Sequence, residues 1–147
     1  MDKARLKQRM LELEQAELDH AREKYLSFIA DARIDRSEPV ESGDAAAAEA
    51  AGELAEAFDQ PVHIHADKLA HLREVDFGPK TAVEEGAVVR FGGRSFVVCI
   101  STDRFEHDGE TFMGISTAAP IYDAIKGLEA GDTATFNGRE IEVEAVW

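Results

Sequence analysis

The first 34 residues contain neither glycine nor proline, and their apolar positions recur mostly every three or four residues. This spacing places the apolar side chains on one face of a helix and the charged side chains on the others. We therefore predict a long amphipathic helix of about 50 Å, too long to be buried in a chain this small. Leu11 and Leu18 widen its apolar stripe, which consists of Leu6, Met10, Leu13, Ala21, Tyr25, Phe28 and Ala32.

A second helical pattern begins near Asp44, which is a good N-cap for the alanines that follow it. The pattern continues to about Val75, so the two helices have similar lengths. We predict that they form an antiparallel helical hairpin, a coiled coil, over residues 1–75. Its second stripe consists of Ala47, Ala51, Leu54, Phe58, Val62, His65, Leu69 and Leu72.

Pro61 interrupts this second pattern. A proline inside a helix removes one backbone hydrogen bond and clashes with the preceding turn, at a cost of about 3 kcal/mol. Asp59 is placed to cap a helix that restarts at Gln60 and Pro61. We therefore expect a kink or a short break at this point.

The period of the pattern changes to two after the sequence Asp76-Phe77-Gly78-Pro79. Strands are predicted at 87–91, 95–101, 111–116, 133–136 and 140–146, and a short helix at 119–126. Turns are predicted at 92–93, 108–109 and 137–138, where glycine and asparagine favour tight hairpins. Residues 76–147 thus predict a small antiparallel sheet with one helix, and the whole chain belongs to the α+β class.

The net charge of −14 argues against a general nucleic-acid binder or a binder of anionic membranes, because phosphates repel such a chain. The single cysteine, Cys99, excludes an internal disulfide and is typical of a reducing compartment. It lies in an apolar strand pattern, which favours a core thiol over a nucleophile. With no signal peptide and no apolar run of about 20 residues, we expect a cytoplasmic monomer that does not contact a membrane.

The acidic residues concentrate between Asp35 and Asp59, which include eight carboxylates and one base, Arg36. The middle of this stretch is broken by serine, proline and glycine, so it forms the tip of the predicted hairpin. Mg²⁺ prefers oxygen ligands, often one or two carboxylates completed by water and phosphate. The candidate acids at the tip are Asp35, Glu38, Glu41 and Asp44. A solvated acidic loop without chemistry is the alternative.

His63 and His65 suggest a metal pair, but residues two apart on a helix point to different faces. No cysteine or acid completes a zinc ligand set with them. We therefore assign them no metal.

The segment GISTAAPIYDAIKG at residues 114–127, followed by LEAGD at 128–132, resembles the C-terminal signature of the bacterial Gre transcript-cleavage factors. In that family an Ile-Ser strand enters a helix that starts at Ser-Pro, and a Gly-Asp turn precedes the last hairpin. Here Ala119-Pro120 replaces Ser-Pro, and Lys126-Gly127 inverts the usual Gly-Lys order. The resemblance covers residues 86–146, and in the N-terminal half it holds for architecture only.

The resemblance implies an N-terminal coiled coil, a C-terminal FKBP-like domain in residues 76–147, and RNA polymerase as the partner. The C-terminal domain would dock near the secondary channel, and the coiled coil would carry its acidic tip to the polymerase active site. DNA and RNA would be met only indirectly, within the transcription complex. The residues implied in docking are Thr117, Pro120, Tyr122, Asp123 and Lys126, and we expect Thr117, Tyr122, Asp123 and Lys126 to be exposed.

The tip departs from the family's cleavage motif, which is close to Asp-Leu-x-Glu-Asn-Ala-Glu-Tyr. This chain has SEPVESGDA at residues 37–45, and the acidic spacing survives only as Glu38 to Glu41 or Glu41 to Asp44. We therefore expect a regulator without catalysis of its own and without a stably bound cofactor. Glu38, Glu41 and Asp44 would at most share the Mg²⁺ of the polymerase. True stimulation of transcript cleavage, and a stand-alone interaction module, remain the alternatives.

Overall fold

The computed structural model describes residues 1–35 and 44–147, with side chains for residues 1–31, 57 and 59–147. Two long helices come first, α1 (Lys3–Asp35) and α2 (Asp44–Glu74). Within the described ranges the chain divides into two compact units, residues 11–70 and residues 1–10 with 71–147. Both helices agree with the predicted ones to within about two residues. The predicted domains 1–75 and 76–147 stay a prediction.

The unit formed by residues 11–70 is a pair of antiparallel helices. The early part of α1 contacts the late part of α2, where Glu14 meets His65. Leu18, Ala21 and Leu69 are buried, as the apolar stripes predict. α2 continues through Pro61 as one helix, so the predicted short break does not form. A kink at Pro61 stays a prediction. Asp59 contacts His63 one turn later and does not recap a new helix.

The second unit contains seven strands and one short helix. The elements are β1 (Val88–Phe91), β2 (Arg94–Cys99), β3 (Arg104–His107), β4 (Glu110–Ser116), α3 (Pro120–Ile125), β5 (Thr133–Phe136), β6 (Arg139–Glu142) and β7 (Ala145–Val146). One sheet has the strand order β3-β4-β2-β1-β7, and β5 and β6 form a second sheet of two strands. The α+β fold class predicted from the sequence is confirmed.

One buried cluster of this unit lies between the larger sheet and α3. Its fully or almost fully buried members are Val83, Ala87, Val89, Val98, Ile115, Ile125 and Val143. Val143 interrupts the strand predicted at 140–146, because its backbone bonds to Gly131 and Asp132 instead of continuing the β5–β6 ladder. Residues 145–146 then pair with β1 in the other sheet. One predicted strand is thus divided between two sheets.

The predicted tight turns all form two-residue hairpins. In the β5–β6 hairpin, Phe136 pairs with Arg139 across Asn137 and Gly138, whose φ angles are 52° and 74°. Two successive positive φ angles match the twist of the flanking strands, and asparagine and glycine tolerate them best. Local turn chemistry therefore fixes this register.

The pairing of β2 with β4 is parallel, which the hairpin pattern did not predict. After β2 the chain crosses over β4 before it forms β3, a strand that the sequence reading also missed. Thr102 marks the crossing: its N–H donates to the Gly114 carbonyl at 3.2 Å, and its Oγ1 accepts from the Gly114 N–H at 2.8 Å. β3 then returns to β4 as an antiparallel hairpin. β4 consequently lies between β2 and β3.

Gly114 leaves room for this crossing. A Cβ atom at this position would lie 2.3 Å from the Ile100 carbonyl oxygen and 2.9 Å from Thr102 Cγ2. We predict that Gly114→Ala lowers the free energy of unfolding by about 2 kcal/mol, because backbone must shift to relieve the overlap. Urea denaturation measures this change. Ala118→Gly, at an exposed position in the loop before α3, is the control, and an equal loss in both variants would contradict the crossing as the cause.

Two lysines of α1 bind backbone carbonyls near the beginning and the end of residues 71–147. Lys3 Nζ donates to the carbonyl oxygens of Gly78, at 2.6 Å, and Trp147, at 2.9 Å. Lys7 Nζ donates to the carbonyls of Arg73, at 3.0 Å, and Val75, at 2.7 Å, near the end of α2. Cations at a helix C-terminus satisfy carbonyls that have no partner within the helix. The start of α1 is therefore held by backbone carbonyls from distant parts of the chain.

The buried position of Lys3 makes the fold sensitive to pH. Burial lowers the pKa of Lys3 from 10.5 to about 8, and the positive charge of Lys80 acts in the same direction, against the attraction of Asp76 and Glu84. Between pH 8 and 10.5 the unfolded chain therefore binds more protons than the folded chain. The free energy of unfolding should rise with pH across this interval, by up to about 3 kcal/mol.

Lys3→Met isolates this contribution, because it keeps much of the side-chain volume and removes the titrating amine. As pH rises from 8 to 10.5, we expect the free energy of unfolding of the natural chain to rise relative to that of Lys3→Met. Urea denaturation at several pH values measures it. A difference that stays constant would contradict the depressed pKa, whatever the cost of losing the two hydrogen bonds.

Candidate functional site

The segment that leads from β4 into α3 carries the residues implied in docking. Ser116 ends β4, and its Oγ accepts a hydrogen bond from the Ala118 N–H at 3.1 Å. Ala119 has an extended backbone and is the N-cap of α3, without a side-chain cap. Pro120 occupies the start of the helix, where its fixed φ suits the helix and its missing N–H costs nothing. The predicted helix start at Pro120 is confirmed.

The inner side of α3 packs on the core. Ile125 is fully buried, and Ile121, Tyr122 and Ala124 pack against the cluster of buried valines and isoleucines. Tyr122 is therefore half-buried, although the sequence reading treated it as exposed. Its ring contributes to packing, so a substitution there would disturb the fold as well as the surface.

The outer side of α3 presents a proline, an acid and a base. Pro120, Asp123 and Lys126 are exposed, and Lys126 Nζ lies 3.6 Å from Asp123 Oδ1. An exposed ion pair of this kind is worth about 0–1 kcal/mol, so either partner can be exchanged for a group on another protein at little cost. Thr117, which was also expected to be exposed, lies half-buried just before the helix. The other four implied docking residues lie within residues 120–126, about two turns of helix.

The end of α3 is fixed by backbone hydrogen bonds. The Gly127 N–H donates to Val83 at 2.8 Å, and the Leu128 carbonyl accepts from Val83 at 2.8 Å. Asp132 Oδ2 then accepts from the Glu129 N–H at 2.8 Å, which closes the Gly-Asp turn. The helix is therefore anchored where it ends.

Four acids were predicted at the tip of the hairpin. Asp35 ends α1 and Asp44 begins α2. The side chains of both, and Glu38 and Glu41 entirely, lie outside the described residues. The predicted magnesium-binding role of these acids stays a prediction.

A buried ionic cluster in the helical pair was missed by the sequence reading. Glu14 is 4% exposed, its Oε1 lies 2.7 Å from His65 Nδ1, and its Oε2 lies 3.8 Å from Lys68 Nζ. A shift between the helices would leave this carboxylate buried without a partner, which is strongly destabilising. The cluster therefore specifies the register. The sequence contains a signal for this cluster, because Glu14 falls four residues after Met10 and four before Leu18, on the apolar stripe.

The two histidines considered as a metal pair each contact a carboxylate instead. His63 Nε2 lies 2.8 Å from Asp59 Oδ2, and His65 belongs to the Glu14 cluster. Among the side chains that the structure describes, no group of three or more His, Cys, Asp or Glu residues is arranged to hold a metal ion. In the same part of the chain, none of the helices combines the length and apolarity that crossing a bilayer requires.

No protein-family model and no curated protein matches the sequence. Among solved structures, the chain is similar to GreA factor homolog 1 (Gfh1) of Thermus thermophilus, with 19% identity over 93% of this chain and 94% of that one, at a TM-score of 0.35. A second structure, of the transcription factor Gfh1, has 20% identity over 92% of each chain and a TM-score of 0.34. At these TM-scores the likeness carries no weight for function.

Proposed function

We propose that this chain is a regulator of transcription elongation that binds bacterial RNA polymerase through α3 and the residues that flank it. The observation that carries the proposal is the segment at 114–132, which resembles the Gre signature in sequence. It forms a strand, a helix and a Gly-Asp turn anchored on the sheet. Pro120, Asp123 and Lys126 lie on its exposed side. The proposed place of action is the cytoplasm.

The helical pair supports the second part of the proposal, that the hairpin enters the secondary channel of the polymerase. In the described parts of residues 11–70, which are 11–35 and 44–70, every residue belongs to α1 or α2. Two packed helices are roughly 20 Å across, and α2 alone is about 46 Å long, which suits insertion into a channel. The buried Glu14 cluster holds the two helices in one register. A rod of this kind would carry its acidic end to a fixed depth.

At the active site the acidic tip would modulate the polymerase and would not act as an enzyme of its own. Carboxylates near a catalytic Mg²⁺ change the electrostatic field around the metal and can share its coordination. The tip sequence lacks the asparagine and tyrosine of the cleavage motif. We therefore propose altered pausing or initiation, with no stably bound metal. Stimulation of transcript cleavage is the outcome that would replace this proposal.

Polymerase binding tests the docking surface. We expect Asp123→Ala combined with Lys126→Ala to weaken binding to cognate RNA polymerase at least tenfold, because both exposed charges lose their partners on the polymerase. Surface plasmon resonance with the immobilised polymerase measures the affinity. Arg139→Ala combined with Glu140→Ala removes a matched pair of exposed charges from β6 and should leave binding within twofold. Absence of binding by the natural chain would refute the proposal.

The tip acids are tested on stalled, backtracked transcription complexes. We expect the triple substitution of Glu38, Glu41 and Asp44 by alanine to reduce the protein's effect on pausing severalfold while polymerase binding is kept, since the charges lie far along the chain from α3. Gel analysis of the RNA measures both pausing and shortening. If the natural chain with Mg²⁺ shortens the RNA faster and the triple variant does not, the protein is a cleavage stimulator.

A further inference from the structure

A cavity of about 350 Å³ lies at the end of β4 that is farthest from α3. Its walls come from the starts of β2 and β4, from β3 and from the two hairpin turns beside them. The side chains that matter here are Arg90, Arg94, Arg104, Phe96, Thr111 and Met113. β4 runs away from this cavity before it reaches Ser116 and α3, so the cavity is separate from the proposed docking surface.

The strand register places two apolar side chains, Phe96 and Met113, between Arg94 and Arg104. Arg104, Met113 and Phe96 are paired in a row across β3, β4 and β2, so they lie on the same face of the sheet. Arg94 and Thr111 lie two residues along from Phe96 and Met113 and share this face. Met113 is 37% exposed, which is unusual for a large apolar residue in the middle of a sheet. Phe96 stacks on Phe91, its neighbour on the same face of the sheet, with ring centroids 4.3 Å apart.

The charge of the cavity is opposite to that of the chain. Within the described residues, no hydrogen bond or ion pair involves the side chain of Arg94 or Arg104. Arg90 lies 3.9 Å from Glu144, and the one acid in the lining, Glu110, accepts a hydrogen bond from Ser95. Two guanidinium groups are thus unpaired beside an apolar surface, on a chain whose net charge is −14. Arginine suits bidentate contact with carboxylates.

We propose that this cavity is a docking site for an extended acidic segment of a partner protein, in which an apolar side chain is flanked by two carboxylates. The apolar side chain would cover Met113 and Phe96, and the carboxylates would pair with Arg94 and Arg104.

The spacing of the two arginines sets the pattern of the partner segment. Arg94 and Arg104 are two strands apart and offset by two residues, which puts their Cα atoms roughly 12 Å apart. In an extended peptide, residues four apart are about 13 Å apart, and the residue midway points to the same side. The partner pattern is therefore acid, any residue, apolar, any residue, acid.

The test is an NMR titration of the full-length 15N-labelled chain with a capped pentapeptide of sequence Glu-Ser-Leu-Ser-Glu. We expect amide shifts confined to residues 93–96 and 104–113, and weakening on addition of salt, because exposed charge pairs are screened. The peptide with glutamine in place of both glutamates, and one with the two glutamates adjacent, should bind at least fivefold more weakly. Inorganic phosphate is titrated separately as a probe for a simple anion site.

Protein variants complete the test. Arg94→Gln combined with Arg104→Gln should weaken peptide binding at least tenfold, and Arg139→Gln, at an exposed position on β6, should leave it within twofold. Well-dispersed amide spectra of each variant show that the fold is kept. The proposal is overturned if the peptide causes no localised shifts or if the glutamine peptide binds equally well. It is also overturned if the double arginine variant binds normally, or if phosphate causes the same shifts and displaces the peptide.

Discussion

The crossing of the chain over β4 at Gly114 is the constraint on which the arrangement of the sheet unit depends. Two hydrogen bonds between Thr102 and the Gly114 backbone hold the crossing, and a side chain at Gly114 would overlap the Ile100 carbonyl. Because the chain passes over β4, that strand lies beside β2 and runs parallel to it. Both surfaces proposed for recognition follow from this position: α3 begins where β4 ends, and the arginine-lined cavity lies where β4 begins.

Much of the fold could be predicted because it is encoded by neighbouring residues. The helical stripes, the Pro120 helix start and the Asn137-Gly138 turn all depend on contacts within a few residues. The parallel pairing of β2 with β4 could not be predicted, since it depends on a crossing between residues that are distant in sequence. β3 was missed because its four residues are too few to show a clear alternation of apolar and polar positions. Of the candidate site, the start of α3 and its exposed charges were predicted from sequence, whereas Tyr122 was expected to be exposed and is half-buried against the core.

The charged side chains follow the same pattern in both units. Three lysines are used internally: Lys3 and Lys7 bind backbone carbonyls, and Lys68 supports the buried Glu14. A surface dominated by carboxylates repels nucleic acid. On a chain with an excess of negative charge, two unpaired arginines create a local region of positive potential. The chain would therefore present two chemically different surfaces, one acidic at the hairpin and one cationic beside an apolar patch.

The bond between Lys3 and the carbonyl of Trp147 joins residues 144 positions apart in sequence. Residues 1–10 belong to the same compact unit as residues 71–147, so the helical pair is an insertion between two parts of one structure. During synthesis the helical pair can form before the sheet unit, which must wait until Trp147 has left the ribosome. Contacts of such high sequence separation slow folding. The start of α1 would thus remain exposed in the nascent chain, where it is open to chaperones, until Trp147 can pair with Lys3.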